Sequence, residues 1–142
     1  LAGARLGFGI GSEQLMRDLN TVKYSINPYN VNRMTQAAGV AAIEDNSYYR
    51  ANAETIMTTR AEAIEQLQSL GFSVLPSSAN FVFAKSDRVS GEELYQKLKA
   101  RGVLVRYFTK ERIKDFCRIT IGTREQMQIL LTNMQAILTE KG

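Results

Sequence analysis

Apolar residues follow two different rhythms along this chain, and the rhythm changes after Gly71. Before it, Leu15, Met16 and Leu19 follow Ser12 at helical spacing, so Ser12 is expected to cap a helix that ends near Asn20. Asn27-Pro28-Tyr29-Asn30 then reads as a turn or extended connector, because the residue before a proline is pushed out of the α region. From Val31 to Leu70 there is no proline and a single interior glycine, Gly39, while Met57, Ala61, Ile64 and Leu67 recur at helical spacing. The pattern predicts a long helix over 31–70, with a bend near Asp45-Asn46-Ser47 and a stop at Gly71. A helix of that length is suited to linking two bodies rather than packing inside one small domain.

After Gly71 the segments shorten. Phe72 to Leu75, Ala79 to Ala84, Val103 to Arg106 and Phe116 to Ile121 read as strands. Ser90-Gly91-Glu92-Glu93 fits a capping box opening a helix through Leu94 and Leu98, which Gly102 stops. Thr123-Arg124-Glu125-Gln126 fits a second, ahead of Met127, Leu130, Leu131, Met134, Ile137 and Leu138 on one helical face. The result is a small sheet covered by helices, an α/β class of the α+β kind. Residues 1–10 read as a short strand or hairpin arm. The expected division is 1–51, an incomplete body with the first half of the long helix, and 52–142, a compact domain.

Composition narrows the class. The chain has 142 residues, 44% hydrophobic and 23% charged, which suits a soluble globular domain with a real core. Leu1 stands in a Gly-rich segment, without a charged leader or a long apolar run, so neither a signal peptide nor a membrane span is expected. A piece of a longer protein is the expectation. The single cysteine, Cys117, has no internal disulfide partner and no metal-ligand spacing around it, which points to a reducing, cytoplasmic compartment and no metal. The net charge of +4 is dispersed among acidic residues, which argues against a nucleic-acid partner.

Candidate chemistry rests on arginines. Alternation along Phe116-Cys117-Arg118-Ile119-Thr120-Ile121 puts Arg118 on the face opposite Cys117, Ile119 and Ile121, where it needs an anion. That anion is either a ligand or a surface carboxylate such as Asp115 or Glu125. Arg5, in Leu1-Ala2-Gly3-Ala4-Arg5-Leu6-Gly7-Phe8-Gly9, is either a second anion site beside close-approaching backbone or a solvated arginine. Arg106 is either a further anion-binding arginine or a salt-bridged edge residue. With no histidine and one cysteine, the reactive group is expected to lie outside this sequence.

Leu1-Ala2-Gly3-Ala4-Arg5-Leu6-Gly7, Pro28-Tyr29-Asn30-Val31-Asn32, Pro76-Ser77-Ser78-Ala79-Asn80-Phe81-Val82, Arg101-Gly102-Val103-Leu104-Val105-Arg106 and Arg118-Ile119-Thr120-Ile121-Gly122-Thr123 occur in this order. Together they resemble the histidinol-phosphate aminotransferases, over essentially the whole chain. The resemblance implies the fold type I of pyridoxal-phosphate (PLP) transferases, with 1–51 the incomplete end of the large PLP-binding domain and 52–142 the small C-terminal domain. It implies the cofactor pyridoxal 5'-phosphate, the substrates histidinol phosphate and glutamate or 2-oxoglutarate, a place in histidine biosynthesis, and a homodimer.

The resemblance also implies roles for individual residues. Arg5 matches the arginine on the cofactor phosphate. Arg118 matches the arginine that grips the substrate α-carboxylate, a position that meets the substrate phosphate in this branch. Arg106 matches a second phosphate-binding arginine. Tyr29 and Asn30 match a connector that reaches the partner subunit. The lysine that carries the cofactor falls just upstream of Leu1, so no catalytic residue is expected in this chain and the chain alone is expected to be inactive. The alternatives are a related aromatic aminotransferase, a PLP-dependent decarboxylase of a phosphorylated amino acid, or a non-catalytic interaction domain.

Overall fold

The computed structural model describes residues 1–140, and the chain divides into two compact units, Leu1–Ala51 and Asn52–Gly142. In the first unit a 3₁₀ turn, Ala2–Ala4, is closed by hydrogen bonds from the Ala4 and Leu6 N–H groups to the Leu1 carbonyl, 3.0 and 3.4 Å. The strand expected over 1–10 does not form. A strand needs a neighbour to pair with, and residues 1–51 hold no other strand. Helix α1 (Glu13–Ile26) is capped by Ser12, whose Oγ accepts from the Leu15 N–H. It runs past Asn20 because the Thr21 and Ser25 hydroxyls donate back to the carbonyls one turn earlier instead of competing for the backbone. Pro28 is what ends it, since Asn27 takes φ −154°.

The long helix expected over 31–70 is two helices. Helix α2 (Arg33–Glu44) starts at Asn32, whose Oδ1 accepts from the Thr35 N–H at 2.9 Å. Helix α3 (Asn46–Ser69) follows after Asp45, which sits at φ −87°, ψ 54°. Asp45 accepts a hydrogen bond from the Ser47 hydroxyl, a local bond that offers the chain an alternative to helix at that point. The expected bend is therefore a break. No residue of α1 or α2 is buried.

The second unit holds the core. Strands β1 (Ser73–Val74), β2 (Phe81–Lys85), β3 (Arg106–Tyr107) and β4 (Cys117–Thr120) form one antiparallel sheet in the order β1-β2-β4-β3. Helix α4 (Gly91–Ala100) lies between β2 and β3 in sequence, and α5 (Arg124–Thr139) is the last regular element among the described residues. Val82, Ala84, Cys117 and Ile119 on one sheet face pack with Leu67 of α3, Leu94 and Leu98 of α4, and Leu130, Met134 and Ile137 of α5. The α/β class read from the pattern is the class observed.

The helix ends follow the sequence signals closely. Gly71 and Gly102 both take positive φ, +86° and +75°, and the next N–H reaches back to Leu67 and Leu98 respectively, the same C-terminal motif used twice. Ser90 accepts from the Glu93 N–H, and Thr123 and Gln126 form a reciprocal capping box. The strand expected over Val103–Arg106 shrinks to β3, because the Val103 N–H is held by the Leu98 carbonyl in the α4 cap and is not free for the ladder.

Candidate anion-binding face

Alternation gives the sheet a second face. Val82 and Ala84 are buried, while Phe81, Phe83 and Lys85 are half-buried on the other side, and Arg118 stands between the buried Cys117 and Ile119. The register sets Phe83 opposite Arg118, and Arg106 opposite Arg118 on its other flank. Phe83, Arg118 and Arg106 thus form one row across three strands. Two like charges directly opposite in a sheet destabilise it unless something lies between or beside them. Neither arginine joins an ion pair among the described residues, including with Asp115 or Glu125. The Arg118 Nε is buried and has no hydrogen-bond partner.

Aromatic rings supply what carboxylates do not. Phe83 is a hub, with ring centroids of Phe81, Phe108 and Phe116 at 6.5, 5.8 and 5.8 Å. Each outer ring carries one cation: Arg118 over Phe81 at 5.3 Å, Arg106 over Phe108 at 5.4 Å, and Lys85 over Phe116 at 5.6 Å. The guanidinium nitrogens not committed to the protein are donors for an anion, and a carboxylate or phosphate fits a fork of such donors.

The expected site residues divide between the two units. Arg106 and Arg118 are brought together. Arg5, Tyr29 and Asn30 belong to the first unit, where Arg5 is exposed at φ 57°, a backbone conformation uncommon for a residue with a side chain. Tyr29 is 92% exposed in the turn after α1. Phe81 and Phe108 join the site beyond the residues expected from the sequence. For Phe81 the signal is the alternation of Phe81-Val82-Phe83, which puts Phe81 and Phe83 on the arginine side; Phe108, beyond the end of β3, has no such pattern. Cys117 faces the core, donates to the Gly91 carbonyl, and burial pushes its thiol up to about 11, so it is no nucleophile at neutral pH. Among the described residues no cluster of His, Cys, Asp or Glu could hold a metal ion. Among the described residues no helix is long and apolar enough to cross a membrane.

The model of the family "Aminotransferase class I and II" matches residues 1–134. The chain belongs to the class I and II aminotransferases. The histidinol-phosphate aminotransferase of Clostridium beijerinckii is 46% identical over 139 residues, covering 98% of this chain and 39% of the relative. That of Chromohalobacter salexigens is 43% identical over 137 residues, with 96% and 39% covered. This aminotransferase chain therefore spans about two fifths of the length of the curated relatives it matches. Among solved structures, the histidinol-phosphate aminotransferase of Clostridium acetobutylicum superposes with a TM-score of 0.76 at 25% identity, over 84% of this chain and 37% of that one. The Sinorhizobium meliloti enzyme in complex with pyridoxal-5'-phosphate gives 0.84 at 21% identity, over 100% and 39%, which bears on the fold alone. The aminotransferase fold expected from the sequence motifs is thus the fold found.

Proposed function

We propose that this chain is the C-terminal part of a pyridoxal 5'-phosphate-dependent transaminase. The reaction moves an amino group from glutamate to imidazole-acetol phosphate, giving 2-oxoglutarate and histidinol phosphate in histidine biosynthesis. The observation that carries the reading is Arg106 opposite Arg118 on the open sheet face, two cations with no carboxylate between them. An ordinary amino acid needs one arginine for its carboxylate; a phosphate dianion is suited to two. The identity to histidinol-phosphate aminotransferases supports the same substrate.

In this reading residues 52–142 are the small domain, and residues 1–51 are the end of the large cofactor-binding domain. Arg118 and Arg106 bind the phosphorylated end of the substrate and so orient its Cα–H bond. Arg5 would meet the cofactor phosphate. The fit is chemical: an exposed guanidinium on a backbone held at positive φ, flanked by Gly3, Gly7 and Gly9, around which an added Cβ would meet nothing within 4 Å. The bound cofactor would supply an electron sink for breaking the Cα–H bond. The proton itself needs the lysine that the reading puts ahead of Leu1, so the chain by itself is expected to be inactive. Tyr29 and Asn30 reach the second subunit of a cytoplasmic homodimer.

The test is turnover by the intact protein. Glutamate-dependent conversion of imidazole-acetol phosphate, with cofactor added, is the expected result. No conversion of that substrate, while an aromatic keto acid is aminated, would replace this reading with the aromatic aminotransferase.

A further inference from the structure

We propose that Phe81 is a positioning residue for Arg118, holding its guanidinium in the direction from which it meets an anion. The proposal rests on the reading that Arg118 binds the anionic group of the substrate, and adds a residue that acts through it.

The register makes the argument. Arg118 and Arg106 start directly opposite each other, yet their guanidinium groups lie over different rings, Phe81 and Phe108. Phe81 is opposite Thr120, two residues after Arg118 along β4. Phe108 follows Arg106 by two residues, past the last pair Tyr107–Cys117 and so toward the start of β4. Each guanidinium therefore leans away from the other onto its own ring. That separates like charges that would otherwise repel, and leaves both forks open on one face. Arg118 needs such a seat because its Nε is buried without a hydrogen-bond partner, so no hydrogen bond at that atom fixes the side chain.

The seat is itself fixed. The Phe81 carbonyl accepts from the Ser77 hydroxyl at 2.6 Å, and Ser77 Oγ accepts from the Ala79 N–H. Arg60 of α3 donates to the Ala79 carbonyl at 2.6 Å, and the Ile121 N–H donates to the Asn80 carbonyl at 2.9 Å. The loop before β2 is thus tied to α3 on one side and to the end of β4 on the other. A ring mounted on such a backbone limits the rotamers open to the cation above it.

The test uses the 142-residue chain with inorganic phosphate as the probe, in wild type, Phe81→Leu, Phe81→Tyr, Arg118→Ala and the Phe81→Leu/Arg118→Ala double variant. The readouts are the ¹⁵N relaxation of the Arg118 Nε–Hε group and the phosphate dissociation constant. Phe81→Leu is expected to lower the Nε–Hε order parameter and weaken phosphate binding about three- to tenfold. Phe81→Tyr is expected to match wild type. In the Arg118→Ala background Phe81→Leu should change nothing further, which a general packing defect would not reproduce. Unchanged Arg118 order in a folded Phe81→Leu chain overturns the proposal. If the wild-type Arg118 signal ignores phosphate altogether, the anion reading of Arg118 falls, while the order parameters still decide whether Phe81 seats it.

Discussion

Arg106 faces Arg118 across β3 and β4 with no acidic side chain between them. Such a pair offers two forks to an anion and adds little to the fold, so function and stability should separate on mutation. Arg106→Ala is expected to reduce kcat/KM of the intact enzyme for a phosphorylated substrate by about 1–3 kcal/mol of transition-state binding. An aromatic amino acid should lose little. The same change should leave the unfolding free energy of the chain within about 1 kcal/mol of wild type, because relief of the facing charges offsets the lost contact with Phe108. Equal kinetic losses for both substrates, together with a loss of stability, would assign Arg106 to the scaffold.

Gly91 opens α4 where the chain passes close to another segment. A Cβ there would meet the Lys114 carbonyl oxygen at 2.6 Å and the Asp115 carbonyl carbon at 2.9 Å, both backbone atoms that cannot swing aside. Helix propensity favours alanine by about 0.5–1 kcal/mol, but overpacking against backbone costs about 1–3 kcal/mol, so the clash should win. Gly91→Ala is expected to lower the urea midpoint of the chain. An unchanged midpoint would mean that the 110–116 loop yields.

Ile137 is fully buried in α5 among the residues of the central cluster. Ile137→Ala should destabilise the chain by about 2–5 kcal/mol, measured by denaturant titration followed by circular dichroism. Ile129, on the same helix, is 55% exposed, and Ile129→Ala should cost well under half as much. Similar losses at both positions would mean that the exposed face of α5 is covered in solution.

Alkaline pH should weaken the fold through Cys117. Its thiol is pushed from 9.0 to about 11 by burial. Between those values the unfolded chain releases a proton that the folded chain keeps, so stability falls as the pH rises through that window. Well below 9.0 both states hold the proton and the thiol contributes no slope. Tyr107, also raised chiefly by desolvation, adds to the loss with the same sign. The pH profile of Cys117→Ala, compared with wild type by urea titration from pH 8 upward, should be flatter. Parallel profiles would show that the thiol is paired in the unfolded state or open to solvent in the folded one.

Helix ends were the most legible part of the fold in this sequence. Ser12, Ser90, Thr123, Gly71 and Gly102 all act where their types and spacing suggested, because a cap is decided within a few residues. The α2–α3 break at Asp45 was half legible. Periodicity continued through it, and only a side-chain bond to Ser47 favours the turn. The fate of residues 1–10 and of Val103–Val105 was not legible, since strand formation depends on a partner distant in sequence. In the site, alternation gave the face of Arg118, but the facing of Arg106 and Arg118 depends on register, which no local pattern encodes.

The bare apolar faces of α1 and α2 carry a kinetic consequence. Both helices are 12–14 residues long and correctly capped, yet Leu15, Leu19, Val22, Val40 and Ile43 are exposed. Isolated helices of that length are marginal in water, because nucleation is costly and few hydrogen bonds offset it. Residues 52–142, with a core of their own, can reach their native arrangement first. The helices of residues 1–51 then persist only as long as some other surface lies against them, and amide exchange there should report the arrival of that surface rather than the folding of the sheet.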